Sequence, residues 1–206
     1  MRERITVSET RPQRRLPKAE RHAQLLAEAR ELIREAGTDD FSLGRLAERA
    51  GVTKPLVYDH FGDRAGVFAE LYREFESRQR ETLRAALRGV RPELSEVSDV
   101  VAAAYIDCCL AEGRELADVV AALAGSATLT QLRHEAEEAY VTMCRNALAP
   151  LSGPLDPAGF HAIIGAGNAL AQHALSGSTS ASNARATLAR IITTIATPAP
   201  GMEDAR

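Results

Sequence analysis

The chain has 206 residues, of which 45% are hydrophobic and 26% are charged, as expected of a globular protein with a sizeable core. No apolar run reaches the roughly 18 residues of a membrane-spanning helix, and no apolar segment follows the arginine-rich N-terminus to make a secretory signal. A formal net charge of −3 excludes a uniformly basic DNA-coating protein. Because the three cysteines form neither a C-x-x-C pair nor a spaced framework, we expect a reducing, cytoplasmic location.

Basic charge is concentrated at the front of the chain. Residues 1–21 hold seven Arg or Lys against three Glu, in a stretch with Pro12, Pro17 and little apolar periodicity. We therefore predict a flexible basic arm over residues 1–17. A disordered tail is predicted over residues 198–206.

Helical periodicity recurs from Lys18 almost to the end of the chain, whereas no strand-like alternation between hairpin turns occurs. The predicted fold is therefore all-α, with about nine helices. The first helix is predicted to run from Lys18 to Ala36 and to stop at Gly37. The proline-rich segment 150–157 is expected to be a loop that breaks the helix before it. The other predicted helices cover residues 42–50, 53–60, 63–87, 97–108, 116–123, 128–149, 157–176 and 182–197.

Two short helices joined by a glycine turn span roughly Ser42 to Phe61. Ser42 can cap the first helix and Thr53 the second. Pro55 falls in the first turn of the second helix, where its missing N–H would have had no intrahelical partner. Val57 and Phe61 are four residues apart and are predicted to face inward, which leaves the opposite side of this helix to solvent.

The exposed side of the second short helix carries groups suited to the DNA major groove. A recognition helix places a few side chains on base edges and more on phosphates. Lys54 can donate to guanine O6 and N7, and Leu56 can contact a thymine methyl. The other predicted DNA-binding residues are the proline of the first turn and polar groups suited to phosphate oxygens: Ser42, Arg45, Thr53, Pro55, Tyr58, His60 and Arg64.

This segment resembles the DNA-binding signature of the TetR family of bacterial regulators. The resemblance covers about residues 18–75, and the later helices match the family in number, length and order. Gly44 departs from the pattern, because some members have a base-reading residue on that part of the second helix, so no base contact is expected there. The matching residues are Leu46-Ala47, Gly51-Val52, Pro55-Leu56-Val57-Tyr58 and His60-Phe61.

The resemblance implies a division of labour along the chain. Residues 18–63 would be a three-helix, helix-turn-helix DNA-binding head, and residues 64–197 a connector helix with an effector-binding and dimerisation body. The function implied is that of a ligand-responsive repressor that binds palindromic double-stranded operator DNA as a homodimer. No enzymatic activity, cofactor or membrane partner is expected.

The predicted body has two features that bear on its partners. It is longer than dimerisation alone would need, so we expect it to bind a small, largely apolar effector. Gly165 and Gly167 stand in one helix, where a glycine costs roughly 0.5 to 1 kcal/mol relative to alanine, and this suggests the close approach of another backbone. The resemblance favours a second subunit there, and packing within one subunit is the alternative. Candidate effector-binding residues are Tyr105, Cys108, Tyr140, Met143 and Asn168.

Two rival functions have less support. A helical enzyme could use Cys108 or a histidine, but the sequence contains no G-x-S-x-G, H-E-x-x-H or glycine-rich phosphate loop. A dimerisation adaptor that does not bind DNA would have no reason to keep the polar groups of the second short helix on one exposed face.

Metal and disulfide chemistry are not predicted either. Cys108 and Cys109 point in different directions on a helix, which favours one buried thiol and one elsewhere. The remaining histidines are scattered and lack the spacing of a closed metal site: His22, His134, His161 and His173.

Overall fold

The structure is a computed structural model that describes residues 16–123, 127–152 and 156–197, and within these ranges it contains helices and turns but no strand. The predicted all-α fold is therefore confirmed. Nearly all of the basic arm and the whole of the tail lie outside the described residues. The helical elements, α1 to α8 in chain order, are Lys18–Ala36, Leu43–Ala50, Lys54–Phe61, Arg64–Ala86, Leu94–Leu123, Ala127–Ser152, Pro157–Leu175 and Ala181–Ala196.

The fifth element is divided by a glycine. Gly113 has φ 69° and ψ −156°, which no helical residue adopts, so α5 consists of two helices that meet at a kink. With this division, the described residues contain the nine helices that the periodicity predicted.

Helices α1, α2 and α3 form a compact head around a shared apolar core. Leu25, Leu46 and Val57 are each 0% exposed at its centre. The Oγ of Ser42 accepts the backbone N–H of Arg45 at 3.2 Å and so caps α2 as predicted. Gly51 ends α2 in the left-handed conformation, which makes the tight turn into α3.

The predicted cap of α3 is wrong. Thr53 occupies the N-cap position, but its side chain makes no capping hydrogen bond. A capping oxygen binds the N–H of the second or third helical residue, and Pro55, the second residue, has no N–H to offer.

Helix α4 connects the head to the body. Asp63 caps it by accepting the backbone N–H of Gly66 at 2.8 Å. Its first half packs on the head through Phe68, whose ring lies 5.3 Å from that of Phe41, and Glu74 pairs with Arg30 of α1 at 2.5 Å. Its second half packs on α5 and α6.

Helix α5 is the centre of the body, because α4, α6, α7 and α8 all pack against it. Since neighbours surround α5 on several sides, Cys108 and Cys109 are both buried, at 7% and 8% exposed. The expectation that only one of these thiols is buried was wrong.

Two expectations about the later helices also need correction. Helix α6 continues through Pro150 to Ser152, because a proline one turn from a helix end removes a single hydrogen bond and Leu148, 0% exposed, anchors this turn in the core. Gly167 lies against a side chain of its own subunit: a Cβ atom there would be 2.7 Å from Cε1 of Tyr105.

Among the described helices, none is both long and apolar enough to cross a membrane.

Candidate DNA-binding face and ligand cavity

The outer side of α3 is open to solvent. Tyr58 is 53% exposed, an unusual value for so large a side chain, and Thr53 and Lys54 are exposed at the start of the same helix. Val57 and Phe61 are buried at 0% and 8% exposed, as the four-residue spacing predicted. The helix is therefore fixed by its inner face and presents a polar, aromatic outer face.

Lys54 rests in space that Gly44 leaves open on α2. A Cβ atom added to Gly44 would lie 3.2 Å from Cε and 3.3 Å from Nζ of Lys54. Position 44, where the chain departs from the TetR signature, is a glycine. Lys54 of α3 therefore occupies space that a larger side chain on α2 would fill.

The remaining predicted groups on this side divide between exposed and half-buried. Arg45 is exposed and donates from Nη1 to the backbone carbonyl of Asp40 at 2.7 Å. Ser42 and Pro55 are exposed, and Leu56 is half-buried.

His60 is not on the exposed face that the sequence predicted. Its imidazole is turned toward α1, where its Nδ1 lies 3.3 Å from Nδ1 of His22, and the His22 ring packs 4.8 Å from that of Phe61. Burial, followed by the neighbouring His22, lowers the pKa of His60. The contact with His22 joins α3 to α1.

Arg64, predicted to contact a flanking phosphate, is exposed at the start of α4. Its guanidinium lies 4.8 Å from the centre of the Phe68 ring and donates from Nη2 to the backbone carbonyl of Thr38. The side chain therefore links the start of α4 to the turn after α1.

A cavity of about 290 Å³ lies in the body between α4, α5, α6 and α7. Aromatic, aliphatic and polar side chains share its wall. The lining residues are Tyr72, Phe75, Glu76, Gln79, Tyr105, Cys109, Gly113, Val120, Arg133, Glu137, Tyr140, Ile164, Asn168, Ala171, Gln172 and Leu175.

Three of the five predicted effector-binding residues meet in this cavity. The hydroxyl of Tyr105 donates to Oδ1 of Asn168 at 2.8 Å. The ring of Tyr105 lies edge-on to that of Tyr140, with centroids 5.4 Å apart. These contacts join α5, α6 and α7 at one end of the cavity.

The other two predicted residues lie elsewhere. Cys109 lines the cavity in place of its neighbour Cys108, because consecutive residues of a helix point about 100° apart. Met143 lines a separate and more open groove, which is formed with the second half of α4.

Buried polar groups are the most unusual feature of the cavity wall. Glu76 is 6% exposed and Tyr140 is 2% exposed. Within the part of the chain that the structure describes, neither Oε2 of Glu76 nor the Tyr140 hydroxyl has a hydrogen-bond partner. Burial raises the pKa of Glu76, while the Tyr72 hydroxyl and the charge of Arg80 oppose the rise and the charge of Glu137 adds to it. One oxygen of this buried carboxyl group is therefore left without a hydrogen bond, although Tyr72 and Arg80 favour its charged form.

The contribution of α4 to the cavity was not predicted from the sequence, which indicated only that this helix connects the head to the body. Glu76 and Gln79 lie on the same helical stripe as Tyr72 and Leu83, and all four are buried. Polar residues that interrupt an apolar stripe at helical spacing were the available signal.

The cysteines do not form a reactive centre. All three are free and buried. Burial raises the pKa of the thiols to about 11 for Cys108 and about 12 for Cys109 and Cys144. Protonated thiols are poor nucleophiles, which weakens the case for a cysteine enzyme or a redox sensor.

Comparison with known proteins agrees with the TetR resemblance of the head. Residues 25–71 match the family model described as bacterial regulatory proteins, tetR family. A stretch of 85 residues, 41% of this chain, is 36% identical to the HTH-type transcriptional activator FasR of Mycolicibacterium smegmatis. The match spans 36% of the length of that activator, so it compares only part of the two proteins.

Solved structures extend the likeness of fold to the body. The putative TetR-family transcriptional regulator from Rhodococcus sp. superposes on this chain with a TM-score of 0.70 at 21% sequence identity. The superposition covers 86% of this chain and all of the Rhodococcus chain. The fatty acid degradation regulator FadR of Bacillus halodurans gives a TM-score of 0.70 at 18% identity over 94% of this chain and all of the other. At these identities the comparison establishes the fold alone.

Proposed function

We propose that the chain is a member of the TetR family of bacterial regulatory proteins, and that it is a ligand-responsive repressor that binds palindromic operator DNA as a homodimer. Two heads would enter successive major grooves about 34 Å apart, on two halves of one operator. The protein would act in the cytoplasm, where bacterial DNA lies.

The observation that carries this proposal is the outer face of α3. Its inner residues, Val57 and Phe61, hold the helix on the head, while Thr53, Lys54 and Tyr58 are exposed together. Lys54 would contact a base edge, and Thr53 and Tyr58 would contact phosphates, with Ser42 and Arg45 reaching the backbone from α2. Pro55 and Leu56 would lie against the groove beside them.

His60 and Arg64 would support the head and its junction with α4. His60 joins α3 to α1 through His22, and Arg64 joins α4 to the turn after α1. Their replacement would weaken DNA binding through the orientation of α3. The phosphate contacts predicted for both side chains remain part of the proposal.

The effector would bind in the cavity of the body, with Tyr105, Tyr140 and Asn168 among its contacts. The aromatic and aliphatic side chains of the cavity wall fit the small, largely apolar effector that we expect from the sequence. Because α4 contributes both to this cavity and to the head, an effector that prefers a different placement of α4 would shift the population away from the DNA-binding arrangement.

The dimer would form on α7 and α8. A stripe of exposed small residues runs along α7 at Ala158, Ala162, Gly165 and Ala169, and an added Cβ at Gly165 would touch nothing. Small side chains at helical spacing allow a second helix to approach closely.

Selection of bound DNA from a random pool tests this function. We expect a palindrome whose two halves are one helical turn apart or a multiple of it. A pool that shows no enrichment would overturn the proposal and favour the adaptor. The matched control is Tyr58→Ala with Lys54→Ala, which removes the outer face of α3 and leaves its buried face intact.

A further inference from the structure

The cavity between α4, α5, α6 and α7 contains a buried carboxylate with an unpartnered oxygen. We propose that the effector is a small organic cation, a protonated amine or amidine on an apolar body, whose N–H groups bind the Glu76 carboxylate. This inference rests on the proposed ligand-responsive function and adds the charge of the ligand.

Hydrogen bonding in the cavity wall favours a cation. Glu76 and Tyr140 both line the cavity, and among the described residues neither Oε2 of Glu76 nor the hydroxyl of Tyr140 has a hydrogen-bond partner. Buried polar groups in folded proteins are nearly always satisfied, and an unsatisfied carboxylate oxygen is more costly than a neutral acceptor. An ammonium group has several N–H donors and no acceptor, so it can satisfy the carboxylate and donate to the phenolic oxygen as well.

The charges of the cavity wall also favour a cation. Among the described lining residues, two carboxyl groups, of Glu76 and Glu137, face one guanidinium, of Arg133. Glu137 has a partner outside the cavity, the exposed His161, whose Nδ1 lies 3.4 Å from Oε1 of Glu137. Glu76 is the more deeply buried of the two carboxyl groups, and burial raises its pKa although the charges of Arg80 and Arg133 oppose the rise. A bound cation would favour the charged form of this carboxyl group.

The aromatic wall of the cavity also favours a cation. The rings of Tyr72, Phe75, Tyr105 and Tyr140 all line the cavity. The face of an aromatic ring attracts a cation and repels an anion, and the attraction grows when the cation is desolvated. A carboxylate ligand would meet both these faces and Glu76, whereas a neutral ligand would gain neither the attraction of the rings for a cation nor that of the carboxylate.

Three probes with one skeleton separate these possibilities: 4-phenylbutylamine, 4-phenylbutanol and 4-phenylbutyrate. Each fits a cavity of about 290 Å³, and they differ only in a cationic, neutral or anionic head. Calorimetric titration of the full chain without DNA, at pH 7, measures their affinities. We expect the amine to bind about tenfold or more tightly than the alcohol and the butyrate not to bind. Equal binding of amine and alcohol, or preference for the butyrate, would overturn the proposal.

Two variants test the residue. Glu76→Gln keeps the shape of the side chain and should weaken amine binding about tenfold or more while the alcohol binds as before. Glu135→Gln is the matched control, because it removes an exposed carboxylate from the same body outside the cavity, and it should bind the amine as the parent does. Unchanged amine affinity in Glu76→Gln would refute the role of Glu76. Should that variant fail to fold, the comparison of the three probes still decides.

The experiment separates this inference from the function on which it rests. Amine binding is measured without DNA, and operator selection is measured without amine. A protein that selects a palindrome but prefers no cation keeps the proposed function and loses this inference. A protein that prefers the amine but selects no DNA keeps the cation site and loses the repressor.

Discussion

Gly167 of α7 lies directly against the ring of Tyr105 on α5, so close that a Cβ atom on the glycine would be 2.7 Å from Cε1 and 2.9 Å from Cδ1 of the ring. The Tyr105 hydroxyl then reaches Asn168, the next residue along α7, at 2.8 Å. Because Gly167 has no side chain, the ring of Tyr105 can lie against α7, where its hydroxyl reaches Asn168.

Gly167→Leu should accordingly destabilise the body by overpacking. We expect a loss of about 1 to 3 kcal/mol in the free energy of unfolding, measured by urea denaturation. The loss should shrink when Tyr105→Ala is combined with it, because the smaller side chain makes room for leucine. Strict additivity of the two substitutions would show that this contact does not determine the cost.

Lys54→Ala should weaken operator binding by about 1 to 3 kcal/mol and relax the preference at one position of each half-site. The reason is that Lys54, exposed at the start of α3, is the proposed base-reading donor. Fluorescence anisotropy with single-position operator variants measures the effect. If the mutant binds more weakly but ranks all variants as the parent does, Lys54 contacts only phosphate.

Tyr58→Ala should reduce operator affinity without reducing stability, because more than half of this side chain is exposed. Its neighbour Val57, 0% exposed, supplies the contrast. Val57→Ala should lower the free energy of unfolding by about 1 to 3 kcal/mol through a core cavity. Anisotropy and thermal melting of both variants check this pair, and a large drop in the melting temperature of Tyr58→Ala would show that the tyrosine packs.

The histidine pair should make the head less stable in mild acid. The pKa of His60 is lowered in the folded chain, so the unfolded chain binds the proton more readily. The stabilisation is present above the unfolded pKa of about 6.5 and is lost as the pH falls through the folded pKa. Melting temperatures from pH 7.5 to 5 should fall less for His60→Gln than for the parent. His134→Gln, an exposed histidine on α6, is the control and should follow the parent.

Gly165→Arg should separate the subunits. Gly165 lies in the exposed small-residue stripe of α7, where a long charged side chain would hold a second helix away. Sedimentation should give a monomer, and operator affinity should fall by orders of magnitude because the second half-site contact is lost. Ala85→Arg places the same side chain at an exposed position on α4 and should remain a dimer. A Gly165→Arg dimer of full affinity would move the interface elsewhere.

The sequence by itself determined the head and the order of helices. Ser42 and Asp63 cap their helices, Gly51 makes its turn, and Val57 and Phe61 face inward, as their spacing required. These features depend on residues within one or two turns of each other, so local patterns suffice.

Only the tertiary structure decided which distant groups meet. His22 and His60 are 38 residues apart, and no local pattern pairs them. Glu76 looked like one of many charges on a long helix until α5, α6 and α7 closed around it. The neighbours of a side chain across a helix bundle depend on how the helices pack, and helical periodicity fixes only which face turns inward.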